Sequence, residues 1–173
     1  SALVPRPRLI ARLDAGLRGR LTLISAPAGS GKTTLVSDWA GQCGRPMAWL
    51  CLEESDNDPV RFLAYLTAAL QTVEPDVGAG VLEALHSPRF PPAESVLTTL
   101  INDVSEASNP FVLVLDDYHR IVEQHVHDAV AYLLEHMPEN MHLVITTRSD
   151  PPLPIPLLRG RGQVTALGAA DLS

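Results

Sequence analysis

The feature that most constrains this chain is a short β-like run, residues 21–26, that passes directly into Pro27, Ala28, Gly29, Ser30, Gly31, Lys32, Thr33 and Thr34 and then into a helical pattern through Trp39. A strand, a glycine-rich turn and Gly-Lys-Thr opening a helix make up a P-loop, a device that cradles phosphate. Each part has a physical reason. Gly29 and Gly31 reach dihedrals closed to other residues, so consecutive N–H groups can converge on phosphate oxygens. The helix start contributes its positive end, Lys32 reaches the β and γ phosphates, and the Thr33 hydroxyl can ligate Mg²⁺. Ala28, Gly29, Ser30, Gly31, Lys32, Thr33 and Thr34 are therefore the candidate phosphate contacts. The usual pattern opens with Gly where this chain has Ala26, a mild change at the far end of the turn.

Such a loop must sit at the edge of a sheet, and the rest of the chain supplies one. Residues 47–52, 111–115 and 142–147 read as further strands, with 163–167 as a weaker fifth. Helical patterns alternate with them. Phe62, Leu66, Ala69, Leu70 and Val73 form one apolar stripe, opened by Asp58 as N-cap and Pro59 at the first helical position. Val96, Leu97, Leu100, Ile101 and Val104 form a second, and Val122, Val126, Ala129, Val130, Leu133, Leu134 and Met137 a third. Alternating strands and helices imply a three-layer α/β sandwich, a mostly parallel five-stranded sheet covered on both faces, with strand order 5-1-4-3-2 expected. Residues 75–92 carry four prolines and two glycines and read as a connection with one short helix near 81–86. Residues 151–156 hold four prolines, which stops a helix and predicts an extended segment or hinge. Residues 169–173 show no closing element, as in a chain cut from something longer.

A second, independent site supports the loop. The wholly apolar residues 111–115 end in Asp116 and Asp117, which places two carboxylates at the C-terminal edge of the sheet, where ligands of such sheets bind. Asp116 is expected to hold Mg²⁺, and Asp117 to orient or deprotonate an attacking water. The fourth strand ends in Thr146, Thr147 and Arg148. If it lies between the first and third strands, Arg148 can sense a γ-phosphate, and Thr146 or Thr147 can hold the water.

Composition excludes several classes. Hydrophobic residues make up 46% and charged residues 19%, which suits one globular domain over residues 1–173 and not a disordered segment. Apolar runs such as 111–115 are far short of the ~20 residues a membrane span needs, so no membrane partner is expected. Thirteen basic against 20 acidic residues give a net charge of −7, the wrong sign for direct DNA binding. Lys32 is the only lysine. Cys43 and Cys51 are too few for a disulfide framework and read as free thiols in a reducing cytosol.

The runs Ser25-Ala26-Pro27-Ala28-Gly29-Ser30-Gly31-Lys32-Thr33-Thr34-Leu35 with Trp39, then Asp56-Asn57-Asp58-Pro59-Val60-Arg61-Phe62, Leu115-Asp116-Asp117-Tyr118-His119 and Thr147-Arg148-Ser149-Asp150-Pro151-Pro152 resemble the nucleotide-binding domain of large MalT-like, LuxR-type transcriptional regulators, which belong to the STAND class of signalling ATPases. The resemblance spans nearly the whole chain in order. It implies a switch that holds ADP at rest and takes up ATP when an inducer binds a distant sensor. It also implies self-association of the full-length protein, slow resetting hydrolysis, and DNA contact only through a C-terminal region that this chain does not contain. It further implies that residues 4–9 lie near the adenine, and that the chain is the N-terminal part of a cytoplasmic regulator.

Other residues take plainer readings. His125 and His127 fall on nearly opposite sides of their helix, poor geometry for one metal, and are expected to face solvent. His119 is expected to make a structural hydrogen bond, with a nucleotide contact as its rival role. Glu53, Glu54, Asp56 and Asp58 form an acidic loop whose default is solvation. Arg159 and Arg161 are weak candidates for phosphate or a neighbouring subunit. Two rivals to the switch remain open at this point: a small-molecule P-loop kinase with an arginine lid near 159–161, and an interaction module that binds no nucleotide.

Overall fold

The computed structural model describes residues 6–173. Five strands, β1 (Leu21–Ser25), β2 (Met47–Cys51), β3 (Phe111–Asp116), β4 (Met141–Thr147) and β5 (Val164–Leu167), pair in parallel throughout, in the order β2-β3-β4-β1-β5. Read from the other edge this is the expected 5-1-4-3-2.

The two interior neighbours β3 and β4 are buried along their whole length, which is why their central residues, 111–115 and 143–145, are continuously apolar. Alternate residues serve opposite faces. Phe111, Leu113, Leu115, Leu143 and Ile145 join one core, with α3 (Pro59–Gln71), α4 (Val81–Leu85), α5 (Ala93–Glu106), α6 (Gln124–His136) and α7 (Ile155–Gly160). Val112, Val114, Val144 and Ile24 join the other, with α1 (Arg6–Gly16), α2 (Lys32–Ala40) and α8 (Ala169–Leu172). Each fully buried large apolar side chain contributes ~1.5–3 kcal/mol.

Four local expectations change. Helix α1 adds an element to the expected pattern: Leu9 and Leu13 bury completely and its Asp14 carboxylate accepts the Trp39 indole N–H at 2.8 Å. The proline-rich stretch does not simply extend: α7 begins inside it, with Pro156 in the first turn, where a missing N–H is harmless. Val122 precedes α6 and stands 80% exposed, because Glu123 caps the helix and its carboxylate accepts the His125 N–H at 3.3 Å. Residues 169–172 form α8, whose Asp171 accepts the Gly168 N–H at 2.8 Å and the Arg12 guanidinium at 2.8 Å. The Asp58 cap of α3 is as expected, its carboxylate accepting the Val60 N–H at 3.1 Å. Both cysteines are free, and no helix among the described residues is long and apolar enough to cross a membrane.

Candidate functional site

Parallel register brings the chemistry to one sheet edge. Ser25 pairs with Thr147, Leu115 with Ile145 and Cys51 with Asp116, so the chain emerging from β1, β3 and β4 leaves side by side. From β1 it enters the loop, where Gly29 (φ 78°) and Gly31 (φ 82°) take the left-handed conformation that a side chain would strain. Gly31 caps α2 without a side-chain bond, so the amides of the first turn, including Lys32, Thr33 and Thr34, lack partners within their own helix. Ala28 and Gly29 are exposed. Ser30 closes the loop on itself, its N–H (3.3 Å) and its hydroxyl both donating to the Pro27 carbonyl.

Lys32 is only 7% exposed, and its ammonium donates to the carbonyls of Ala26 at 2.7 Å and Pro27 at 3.0 Å. Among the described residues no carboxylate comes within ion-pair distance of it. A buried cation held by carbonyl dipoles alone keeps most of its attraction for an anion.

The Thr33 hydroxyl reaches the Asp116 carboxylate, at 3.0 Å from Oδ1 and 3.2 Å from Oδ2. From the other side the Thr146 hydroxyl donates to Asp116 Oδ1 and accepts the Asp117 N–H at 2.9 Å. Thr146 therefore positions both carboxylate residues, and its hydroxyl is committed to them and not to a water. Thr147 is committed as well: its hydroxyl donates to the Ser149 carbonyl at 2.8 Å. One hydroxyl and one carboxylate suit Mg²⁺, which keeps several waters and takes one or two protein ligands beside phosphate. Among the described residues no cluster of three or more His, Cys, Asp or Glu forms a ready-made metal cage.

Asp117 has φ 60° and ψ 47°, the only non-glycine residue with positive φ among those described. Arg148 is exposed and shares a cleft with His119, Arg120, Asn57 and Glu54. His119 is half-buried, and its Nδ1 has no hydrogen-bond partner among the described residues, so the expected structural bond is missing. Desolvation lowers the His119 pKa; Asp117 opposes that shift, while Arg148, Arg120 and Lys32 add to it. The imidazole thus lies in the field of three cations and one carboxylate.

Two other expectations fail for lack of tertiary information. His127 is 5% exposed and bonded, 2.8 Å from the Tyr118 hydroxyl. Asp56 is buried, accepts the Glu53 N–H at 2.8 Å and lies 3.5 Å from the Arg61 guanidinium. Asn57, whose role no local pattern signals, clamps this loop to the turn after Asp117. Its amide donates to the Arg120 carbonyl at 3.0 Å and its oxygen accepts the N–H groups of Val122 (2.7 Å) and Glu123 (3.0 Å). Arg161 lines a cleft with Gly19, Met141 and Gln163, at the opposite edge of the sheet from the loop. Of residues 4–9, 4 and 5 lie outside the described residues, and 6–9 begin α1.

A family model described as "AAA ATPase domain" matches residues 5–146. The HTH-type transcriptional regulator MalT of Serratia proteamaculans is 40% identical over 173 residues, covering 98% of this chain and 19% of that protein. The same regulator from Yersinia enterocolitica is 38% identical over 170 residues, with the same coverage. The chain thus spans about a fifth of the length of these curated relatives. Among solved structures, a Signal Transduction ATPase with Numerous Domains (STAND) protein with a tetratricopeptide repeat sensor, from Pyrococcus horikoshii, superposes with a TM-score of 0.67 at 17% identity, covering 96% of this chain and 23% of that one. Cdc6p of Pyrobaculum aerophilum gives 0.59 at 16% identity, covering 95% and 45%. At those identities the structures speak for the fold. Taken with the P-loop and its carboxylate partner, the matched residues show that the chain belongs to the AAA ATPase domain family, alongside the ATPase domains of MalT-like regulators.

Proposed function

We propose that the chain is the ATP/ADP-binding switch domain of a cytoplasmic transcriptional regulator, in which slow, Mg²⁺-dependent hydrolysis resets an ATP-loaded, self-associating form. The observation that carries this reading is the buried Lys32 ammonium without a carboxylate partner, beside Thr33 bonded to Asp116. Lys32 and the amides of residues 28–34 would grip the phosphates. Thr33 and Asp116 would hold Mg²⁺, which when bound neutralises charge on the phosphoryl oxygens. Asp117 orients or deprotonates the attacking water, and Arg148 meets the γ-phosphate from the end of β4. Only contacts that ADP cannot make can shift a conformational equilibrium, and Arg148 and Asp117 are those contacts. DNA is reached through a part of the regulator outside these 173 residues, consistent with the net charge of −7.

The kinase alternative needs an arginine lid over the phosphates, yet Arg161 stands at the opposite sheet edge. Calorimetry with ATP and ADP tests the switch. Binding of both in the presence of Mg²⁺, abolished by Lys32→Ala in a folded variant, is the expected result. Phosphoryl transfer to a metabolite at several per second would replace the switch with the kinase. Absence of binding to either nucleotide would overturn both and leave the interaction module.

A further inference from the structure

Behind the two carboxylates of the site lies a buried polar contact that ties them to α6. Asp117 holds a left-handed conformation, which an L residue keeps only where its surroundings enforce it. On one side the Thr146 hydroxyl accepts its N–H at 2.9 Å. On the other the chain closes a tight turn, with the Arg120 N–H donating to the Asp117 carbonyl at 3.1 Å and the Ile121 N–H to the Tyr118 carbonyl at 2.9 Å. Tyr118, directly after Asp117, is 1% exposed, and its hydroxyl lies 2.8 Å from Nδ1 of His127 in the first half of α6. His127 is that hydroxyl's hydrogen-bond partner among the described residues, so the buried O–H donates to Nδ1. Burial keeps the phenol protonated and lowers the imidazole pKa, which preserves this donor and acceptor pairing at neutral pH.

We propose that Tyr118 and His127 are positioning residues, whose buried hydrogen bond pins the turn that holds Asp117 in its left-handed conformation at the site of water attack. The inference rests on the role given above to Asp117. It makes α6 the element against which the attacking water is aligned, so that a displacement of α6 reaches the chemistry through one hydrogen bond.

Three variants of the whole chain test it. Tyr118→Phe keeps the ring and removes the O–H, His127→Leu removes the acceptor, and His127→Asn puts an amide oxygen near the place of Nδ1. Each is assayed below its own melting temperature for nucleotide affinity, single-turnover hydrolysis and amide exchange at residues 117–121. Tyr118→Phe and His127→Leu are expected to slow hydrolysis about tenfold or more with affinity within about twofold, and to speed exchange in the turn. His127→Asn is expected to recover most of both. A bond that serves stability alone would lower the melting temperature and leave rate and exchange at wild-type values, which overturns the proposal. So does a parallel loss of rate and affinity. Wild-type protein that binds no nucleotide or hydrolyses no ATP overturns the proposed function as well, whereas wild-type turnover undiminished in Tyr118→Phe overturns the positioning pair alone.

Discussion

The Thr146 hydroxyl has one proton and two clients. It donates to Asp116 in a buried setting and accepts from the Asp117 amide in a partly buried one, and an unmet buried partner costs ~1–3 kcal/mol. Thr146→Val should therefore lower stability by about that amount and weaken Mg²⁺-dependent nucleotide binding, while Thr146→Ser should restore both; thermal melts and Mg²⁺ titrations of the two variants check this. Asp117→Asn should narrow the preference for ATP over ADP and cut hydrolysis roughly 10²–10⁴-fold, read by calorimetry and single-turnover assay. At this scale Lys32, Thr33 and Asp116 were legible in the sequence because their spacing from a strand end dictates where they go. The left-handed Asp117 was not, since Asp tolerates that conformation without requiring it. Nor were the buried states of His127 and Asp56, because a helical wheel or a charge run says nothing of what packs over it.

Elements were legible where a local cause acted. Asp58 and Pro59 set the start of α3 through a side-chain bond and an absent N–H, so Asp58→Ala should destabilise the protein by about 1 kcal/mol without touching nucleotide binding, as a melt and a titration would show. Gly31, at φ 82°, begins α2, and any Cβ there would strain the turn that aims the first amides. α1 is faint in the sequence because two leucines four residues apart, Leu9 and Leu13, make a weak period, and its burial depends on α2 and β5 arriving from elsewhere in the chain. The prolines of 151–156 misled for a related reason. Pro forbids a helix interior but suits a first turn, and only the position of α7 shows which applies.

In the whole molecule, β1 and β4 are stitched at the edge away from the loop by His142. Its Nδ1–H donates to the Gly19 carbonyl at 2.7 Å, and its Nε2 accepts the Thr22 hydroxyl at 2.8 Å. Burial pushes its pKa down to about 4. Between the ordinary histidine value near 6.5 and about 4 the unfolded chain binds the extra proton, so stability is retained above that window and falls through it by up to about 3 kcal/mol. Melts from pH 7 to 4.5 should show this loss, and His142→Gln should flatten that part of the slope.

Taken alone, the order of residues determined the alternation of strands and helices, the phosphate loop and the carboxylates that follow an apolar strand, because each depends on contacts within a few residues. Tertiary structure alone decided that Thr146 would serve Asp116, that Tyr118 would reach His127 and that Arg161 would leave the phosphate edge. Those pairings join residues far apart in the chain, and only the parallel register of β3, β4 and β1 and the docking of α6 bring them within a hydrogen bond.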